Sequence, residues 1–186
     1  MNTYTSLLKN GGIIAYPTEA VFGLGCDPLN EQAVKKILQL KHRDVKKGLI
    51  IVGATWEQLK PFTQSIPPDR LQTVLSTWPG PITWVFPASR KAPRWITGHH
   101  STLAIRVSAH PVVHTLCEAW NGPLVSTSAN PESLPPARTE QQVKEYFSQG
   151  LDAIVPGHVG LQQNPTEIRD ALTGKILRPN KPPLQY

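Results

Sequence analysis

Cysteine is scarce: Cys26 and Cys117 are the only two among 186 residues. They lie far apart, with no C-x-x-C pair and no histidine at a ligand spacing, which excludes a disulfide framework and a cysteine-rich zinc site. Both read as free thiols of a reducing compartment. No apolar run approaches the roughly 18 residues of a membrane span, and the opening stretch MNTYTSLLKNGG has neither the basic start nor the apolar core of a secretory signal. A cytoplasmic protein with no membrane attachment is expected.

Common signatures of catalysis are missing too. There is no GxxxxGK(S/T), no GxGxxG, no HExxH and no GxSxG. GLGCD at 23–27 has only two glycines, follows an expected loop, and reads as a tight backbone turn beside a pocket. His42, His99, His100, His110, His114 and His158 show no ligand spacing, so neither a zinc site nor a histidine base is assignable. With no nucleophile–base–acid set, hydrolase chemistry is disfavoured.

What is present describes a globular chain, 39% hydrophobic and 17% charged. Its length suits one domain over 1–186. The 19 prolines sit singly or in pairs between apolar runs, as stiffeners of turns. The net charge is +6 and the pI near 9.5, and the surplus is gathered in one place. Lys35, Lys36, Lys41, Arg43, Lys46 and Lys47 stand against Asp44 alone. That concentration suits an anionic partner such as nucleic acid, a nucleotide or phosphate; a solvated helix end stabilised by its dipole gives the same pattern.

Hydrophobic periodicity alternates short apolar runs with helices. Helices are predicted over 3–9, from the N-cap Asn30 to Lys41, over 56–59 and 69–78, from Pro111 at a first helical position, and over 139–147 with Thr139 as cap. Strands are predicted in GIIAY, GLIIVG, Ile82–Phe86, Leu103–Val107, GPLVSTS and DAIVPG. The strands are apolar on both faces and irregularly spaced, so the expected fold class is α/β with a twisted, mixed parallel and antiparallel sheet, not a doubly wound one.

Four groups of polar residues sit at or near the ends of these strands: Thr18 and Glu19; Lys41, Arg43 and Lys47; Ser126, Ser128 and Asn130; and Arg106 within LAIRV. Ligands of open sheets bind beyond strand ends, and these side chains suit a small polar ligand and phosphate oxygens. Plainer roles fit each: turn residues at 18–19, a cap or turn at 126–130, and an outward or ion-paired Arg106. Strand alternation points Ser126, Ser128 and Asn130 together, with Thr127 and Ala129 away.

The segments YPTEAVFGLGCDP, KHRDVKKGLI, WPGPITWVFPA, LAIRV, PLVSTSAN, NPTEIRD and ILRPN, in this order over about 4–179, resemble the YrdC-type threonylcarbamoyl-AMP synthase family in its bacterial single-domain form. The resemblance implies a concave basic cavity in a YrdC-like α/β fold. It implies synthesis of threonylcarbamoyl-AMP and pyrophosphate from L-threonine, bicarbonate and ATP, with Mg²⁺ accompanying ATP and no protein ligand for it identifiable. A partner enzyme complex would then transfer the threonylcarbamoyl group to adenosine 37 of tRNAs reading codons that begin with A. Thr18, Arg106, Ser128 and Thr166 correspond to threonine-side residues. Lys41, Arg43, Lys47, Thr83, Ser128, Asn130, Arg138 and Arg178 correspond to the ATP side, where Lys41, Arg43 and Lys47 would meet the charge of the transition state.

The chain departs from the family pattern at Asp44, where proline is usual, at Pro131-Glu132 in place of Ser-Gly, and at PTEIRD in place of STVVD. Asp44 is the departure that would matter most, as a carboxylate near a phosphate site. The alternative reading is a non-catalytic factor that binds double-stranded RNA, or assists ribosome assembly, through the same basic cavity, where tRNA contact is also expected. Pockets rimmed by Thr18, Ser128 and Asn130 are superfluous for that task. Carbamoyl transfer to another acceptor, as in longer hydrogenase-maturation proteins with a related domain, is disfavoured by chain length.

Overall fold

Local signals set the helix starts. Asn30 Oδ1 accepts from the Ala33 N–H at 3.0 Å and begins helix α2, Glu31–Leu40. Thr139 Oγ1 accepts from the Gln142 N–H at 3.2 Å and begins α7, Glu140–Tyr146. Pro111 occupies the first turn of α6, Pro111–Trp120. The computed structural model describes residues 3–180; residues 1, 2 and 181–186, the ends of the span expected as one domain, lie outside them. The remaining described helices are α1 (Thr3–Lys9), α3 (Trp56–Leu59), α4 (Pro68–Leu75) and α5 (Arg94–Thr97).

Nine described strands form one sheet: β1 (Ile14–Pro17), β2 (Phe22–Gly25), β3 (Ile50–Gly53), β4 (Ile82–Pro87), β5 (Thr102–Val107), β6 (Leu124–Ser128), β7 (Ala153–Ile154), β8 (Glu167–Asp170) and β9 (Ile176–Arg178). Their order is β7-β1-β2-β6-β3-β5-β4-β8-β9. The pairs β1–β7, β3–β5 and β4–β8 are parallel and the others antiparallel, so the sheet is mixed, as its irregular strand spacing predicts.

Three strands depart from the sequence reading. The GLGCD segment is not a turn: Phe22–Gly25 is β2, lying between β1 and β6. Its glycines make room for the Tyr16 ring, which crosses β2 so that its hydroxyl donates to the Val125 carbonyl at 2.9 Å. A Cβ on Gly25 would stand 2.6 Å from that ring and 2.5 Å from the Val125 carbonyl oxygen. The hairpin β8–β9 was absent from the expectation because its strands are short and only partly buried.

The two faces of the sheet are covered differently. On one, Val125, Ile51, Ile105 and Trp84 form a row across β6, β3, β5 and β4, and all four belong to the larger core with α2. On the other, Leu124 and Val52 lie beneath Leu8 of α1 and Val113, Leu116 and Cys117 of α6. Two residues further along β6, that cover ends.

Candidate active site

Where α1 and α6 stop, the same face of the sheet becomes the floor of a cavity of about 460 Å³, within the usual range for small-molecule sites. The row Ser126–Ile50–Ala104–Val85 crosses that floor, and each of its four residues borders the cavity. The sequence of β6 follows the change of cover: Leu124 packs under helix, and Ser126 and Ser128, on the same side of the strand, meet open space. Thr127, whose row partner Leu24 belongs to the opposite layer, also borders the cavity at the strand's end.

The walls carry Arg43, Lys47, His100, Arg106 and Arg178, and no aspartate or glutamate. Two of the cations belong to separate ends. Arg43 Nη2 donates to the Gly48 carbonyl at 3.0 Å, whereas Arg106 is paired in register with Val52. Gly48 lies two residues before β3, and Val52 is the third residue of that strand.

At the Gly48 end, Lys47 forms an ion pair with Glu132, and the two side chains are 48% and 50% exposed. Burial lowers the pKa of Arg43, with Glu132 opposing the shift, and a guanidinium so placed remains charged. Asp44 does not enter the cavity. It is exposed, and its Oδ1 caps a short 3-10 turn, Val45–Lys47, by accepting from the Lys46 N–H at 2.9 Å.

At the Val52 end, Arg106 lies 3.3 Å from Glu19, with the side chains only 7% and 11% exposed. Glu19 Oε1 also accepts from Ser108 Oγ at 2.7 Å and from the Ala109 N–H at 3.2 Å. Burial pushes the Glu19 pKa up, but Arg106 and the Ser108 hydroxyl outweigh it and hold the group below the usual carboxylate range. Arg178 is held near Arg106 and donates to the Thr166 carbonyl at 2.7 Å. Thr18 Oγ1 closes the turn after β1 by donating to the Val21 carbonyl at 2.7 Å.

The segment after β7 straps this end. The Gly160 N–H donates to the Thr18 carbonyl at 2.9 Å and the Gln162 N–H to the Glu19 carbonyl at 3.2 Å. It then delivers Pro165 and Thr166 to the cavity wall.

Of the residues expected from the sequence, Thr18, Arg43, Lys47, Arg106, Ser128, Thr166 and Arg178 are brought together around the cavity. Lys41, Thr83, Asn130 and Arg138 do not line it. Lys41 is 4% exposed, and its ammonium donates to the carbonyls of Ser128 and, at 2.7 Å, Asn130. Burial, then repulsion from Arg43, pulls its pKa down to about 8 against the attraction of Glu132. Asn130 Nδ2 is committed to the Leu134 carbonyl at 2.7 Å. Thr83 lies fully buried, 3.3 Å from the Thr166 hydroxyl, and Arg138 braces the strap through the carbonyls of Gln162 and Gln163. Glu19, readable from sequence only as a turn or strand-end residue, proves to be the buried counter-charge of Arg106. The one available signal was the strand arginine itself, which needs an anion when buried.

Among the described residues no group of three or more His, Cys, Asp or Glu is placed to hold a metal, and no described helix is long and apolar enough to cross a membrane. The walls, without a carboxylate, do not fit a resident divalent ion.

The sequence profile of the Sua5–YciO–YrdC family, described as telomere recombination, matches residues 6–180. The threonylcarbamoyl-AMP synthase of Coxiella burnetii (strain RSA 493) is 52% identical over 178 residues, covering 96% of each chain. A variant of P. abyssi Sua5 superimposes with a TM-score of 0.90 at 34% identity, over 97% of this chain and 56% of that one. P. abyssi Sua5 complexed with L-threonine superimposes with a TM-score of 0.84, also at 34% identity, over 89% of this chain and 49% of that one. The chain thus spans about half the length of those two-structure relatives and nearly all of the bacterial one.

Proposed function

Because the chain belongs to the Sua5–YciO–YrdC family, we infer that it is an ATP-dependent nucleotidyltransferase that makes threonylcarbamoyl-AMP and pyrophosphate from L-threonine, bicarbonate and ATP, for the N6-threonylcarbamoylation of tRNA. The observation that carries the reading is the identity of 52% along 96% of the chain. The cavity is chemically suited to it, with exchangeable cations at one end and a fixed Arg106–Glu19 pair at the other.

The reaction needs two bonds made in a sheltered place. The threonine amine attacks the carbon of bicarbonate, and loss of water leaves a carbamate. A carbamate oxygen then attacks the α-phosphorus of ATP, the bond to the bridging oxygen breaks, and its electron pair leaves with pyrophosphate. We assign Arg43 and Lys47 to the triphosphate, where they neutralise charge on the leaving group. Arg106 takes the threonine carboxylate, with Thr18, Ser128 and Thr166 orienting the small substrate; Arg178 stands beside Arg106 at the same end. No side chain here needs to act as a strong base, and alignment of the carbamate with the phosphorus is the main contribution. A divalent ion, Mg²⁺ by chemistry, would enter as the counter-ion of ATP.

The whole span 1–186 is taken as one catalytic domain working in the cytoplasm, with the product passed to a separate threonylcarbamoyl-transferring complex. Direct tRNA contact would fall to the exposed Lys35, Lys36, Lys46 and Arg94. The test is pyrophosphate release by the purified chain. Release is expected only with ATP, L-threonine and bicarbonate together. Release indifferent to threonine, or none in any mixture while duplex RNA binds tightly, would overturn the reading in favour of an RNA-binding factor.

A further inference from the structure

The two ends of the cavity each hold one carboxylate against their cations, and the two carboxylates differ in how firmly they are held. Glu132 is half exposed and meets Lys47 at the rim. Exposed pairs of this kind contribute little, so an incoming anion can displace Glu132 into water. Glu19 has no such exit. It is 8% exposed, and its carboxylate is held by Arg106, the Ser108 hydroxyl and the Ala109 N–H. The backbone on either side is tied down as well: the Thr18 and Glu19 carbonyls accept from Gly160 and Gln162 of the strap. The Ser108 hydroxyl that donates to Glu19 itself accepts from the His110 N–H at 3.1 Å, which fixes its direction.

Charge at the Gly48 end is therefore variable, and charge at the Val52 end is constant. With Glu132 displaced, Arg43 and Lys47 present two uncompensated cations to a polyanion. Arg106 never does so, because its partner stays in place. A single carboxylate, part of a zwitterion, fits a guanidinium already half neutralised. A phosphate dianion placed there would face the Glu19 carboxylate across Arg106, in a setting where like charges are poorly screened.

We propose that Glu19 is a specificity-determining residue, a fixed counter-charge that keeps phosphate groups out of the Arg106 end of the cavity and reserves that end for the amino acid. Without it the cavity would hold Arg43, Lys47, Arg106 and Arg178 with no fixed anion, and phosphate would occupy either end. The proposal rests on the assignment of threonine to Arg106 made above. Glu19 acts through Arg106 and touches no reacting atom.

Calorimetric titration of L-threonine, with and without inorganic phosphate, decides the matter for the full chain and two variants. In the unaltered protein phosphate should weaken ATP and leave the threonine Kd unmoved. Glu19→Gln keeps the size of the side chain and an acceptor for Ser108 but removes the charge. In that variant phosphate should compete with threonine and raise its apparent Kd roughly tenfold, the scale of one charge-assisted hydrogen bond. Ser108→Ala keeps the charge but loosens it, and should give a smaller shift in the same direction; it decides the question if the melting curve shows Glu19→Gln unfolded. A threonine Kd indifferent to phosphate in the folded Glu19→Gln chain, or in Ser108→Ala if that is the folded one, overturns the proposal. So does competition already present in the unaltered protein. Failure of threonine to bind the unaltered chain, with or without phosphate, would instead remove the functional assignment beneath it.

Discussion

Lys41 and Ser128 are joined across 87 residues of chain by the lysine ammonium, which donates to the serine's backbone carbonyl. The same ammonium holds the Asn130 carbonyl, so the end of α2 fastens the end of β6 and the turn beyond it. A basic residue expected to meet phosphate thus has a mechanical duty in the folded chain. Lys41→Met should cost about 1–3 kcal/mol of stability, the penalty of leaving buried carbonyls without their donor. Melting temperature and ATP titration separate the alternatives: unchanged melting with lost ATP affinity would place the ammonium on phosphate instead.

Arg43 and Lys47 should respond differently to removal. Arg43→Ala is expected to weaken ATP by about 1.5–3 kcal/mol, as for a charge-assisted hydrogen bond, with threonine affinity little changed. Lys47 must first release Glu132, so Glu132→Gln should tighten ATP, by roughly twofold to fivefold on the scale of exposed ion pairs. Asp44→Asn should do nothing to ATP, because that carboxylate caps a turn outside the cavity. A tightening from Asp44→Asn equal to that from Glu132→Gln would show that the two acids had been told apart wrongly.

Neighbouring residues of β6 should fail in opposite ways. Val125 is fully buried in the larger core, and Val125→Ala should cost about 2–4 kcal/mol through the void it leaves. Ser128 borders the cavity, and Ser128→Ala should depress pyrophosphate release while leaving the melting temperature nearly unchanged. Thr127 also borders the cavity, so Thr127→Ala is expected to lower the rate. Rates and melting curves for the three variants test the facing of the strand, and a Ser128→Ala chain that melts early but reacts normally would refute it.

Glu19 links the site to acid stability. Its carboxylate titrates below its ordinary range in the folded chain, so between the two values the unfolded state binds the extra proton. The stabilisation it contributes is complete above the unfolded pKa of about 4.3 and is lost as pH falls through the lower folded value. The Glu19→Gln chain should therefore lose less stability than the unaltered one between about pH 6 and pH 3. Parallel melting curves across that range would count against the pairing with Arg106.

Much of this was readable from sequence wherever the information is local. Asn30, Thr139 and Pro111 announce their helices within four residues, and the irregular strand spacing foretells a mixed sheet. Gly23 and Gly25 misled, because a glycine that admits a turn and a glycine that admits a ring from the next strand look alike until Tyr16 is placed. Lys41 and Asn130 carried the right chemistry but were already engaged with backbone. Glu19 and Arg106 are 87 positions apart, and no periodicity joins them. The short, half-exposed strands β8 and β9 have too little apolar patterning to stand out.

The floor of the cavity and the larger core are two sides of the same strands, which shapes how this gene tolerates change. Where β3, β5 and β6 cross the floor, at Ile50–Ile51, Ala104–Ile105 and Val125–Ser126, lesions should differ in kind from one codon to the next. Changes at Ile51, Ile105 and Val125 would deplete the protein from the cell. Changes at Ala104, Ser126 and Ser128 would leave it abundant and inert. A survey that scored only growth would merge the two into an unbroken band of intolerance, while one that also measured protein abundance would separate floor from core, neighbour by neighbour, because successive side chains of a strand face opposite ways.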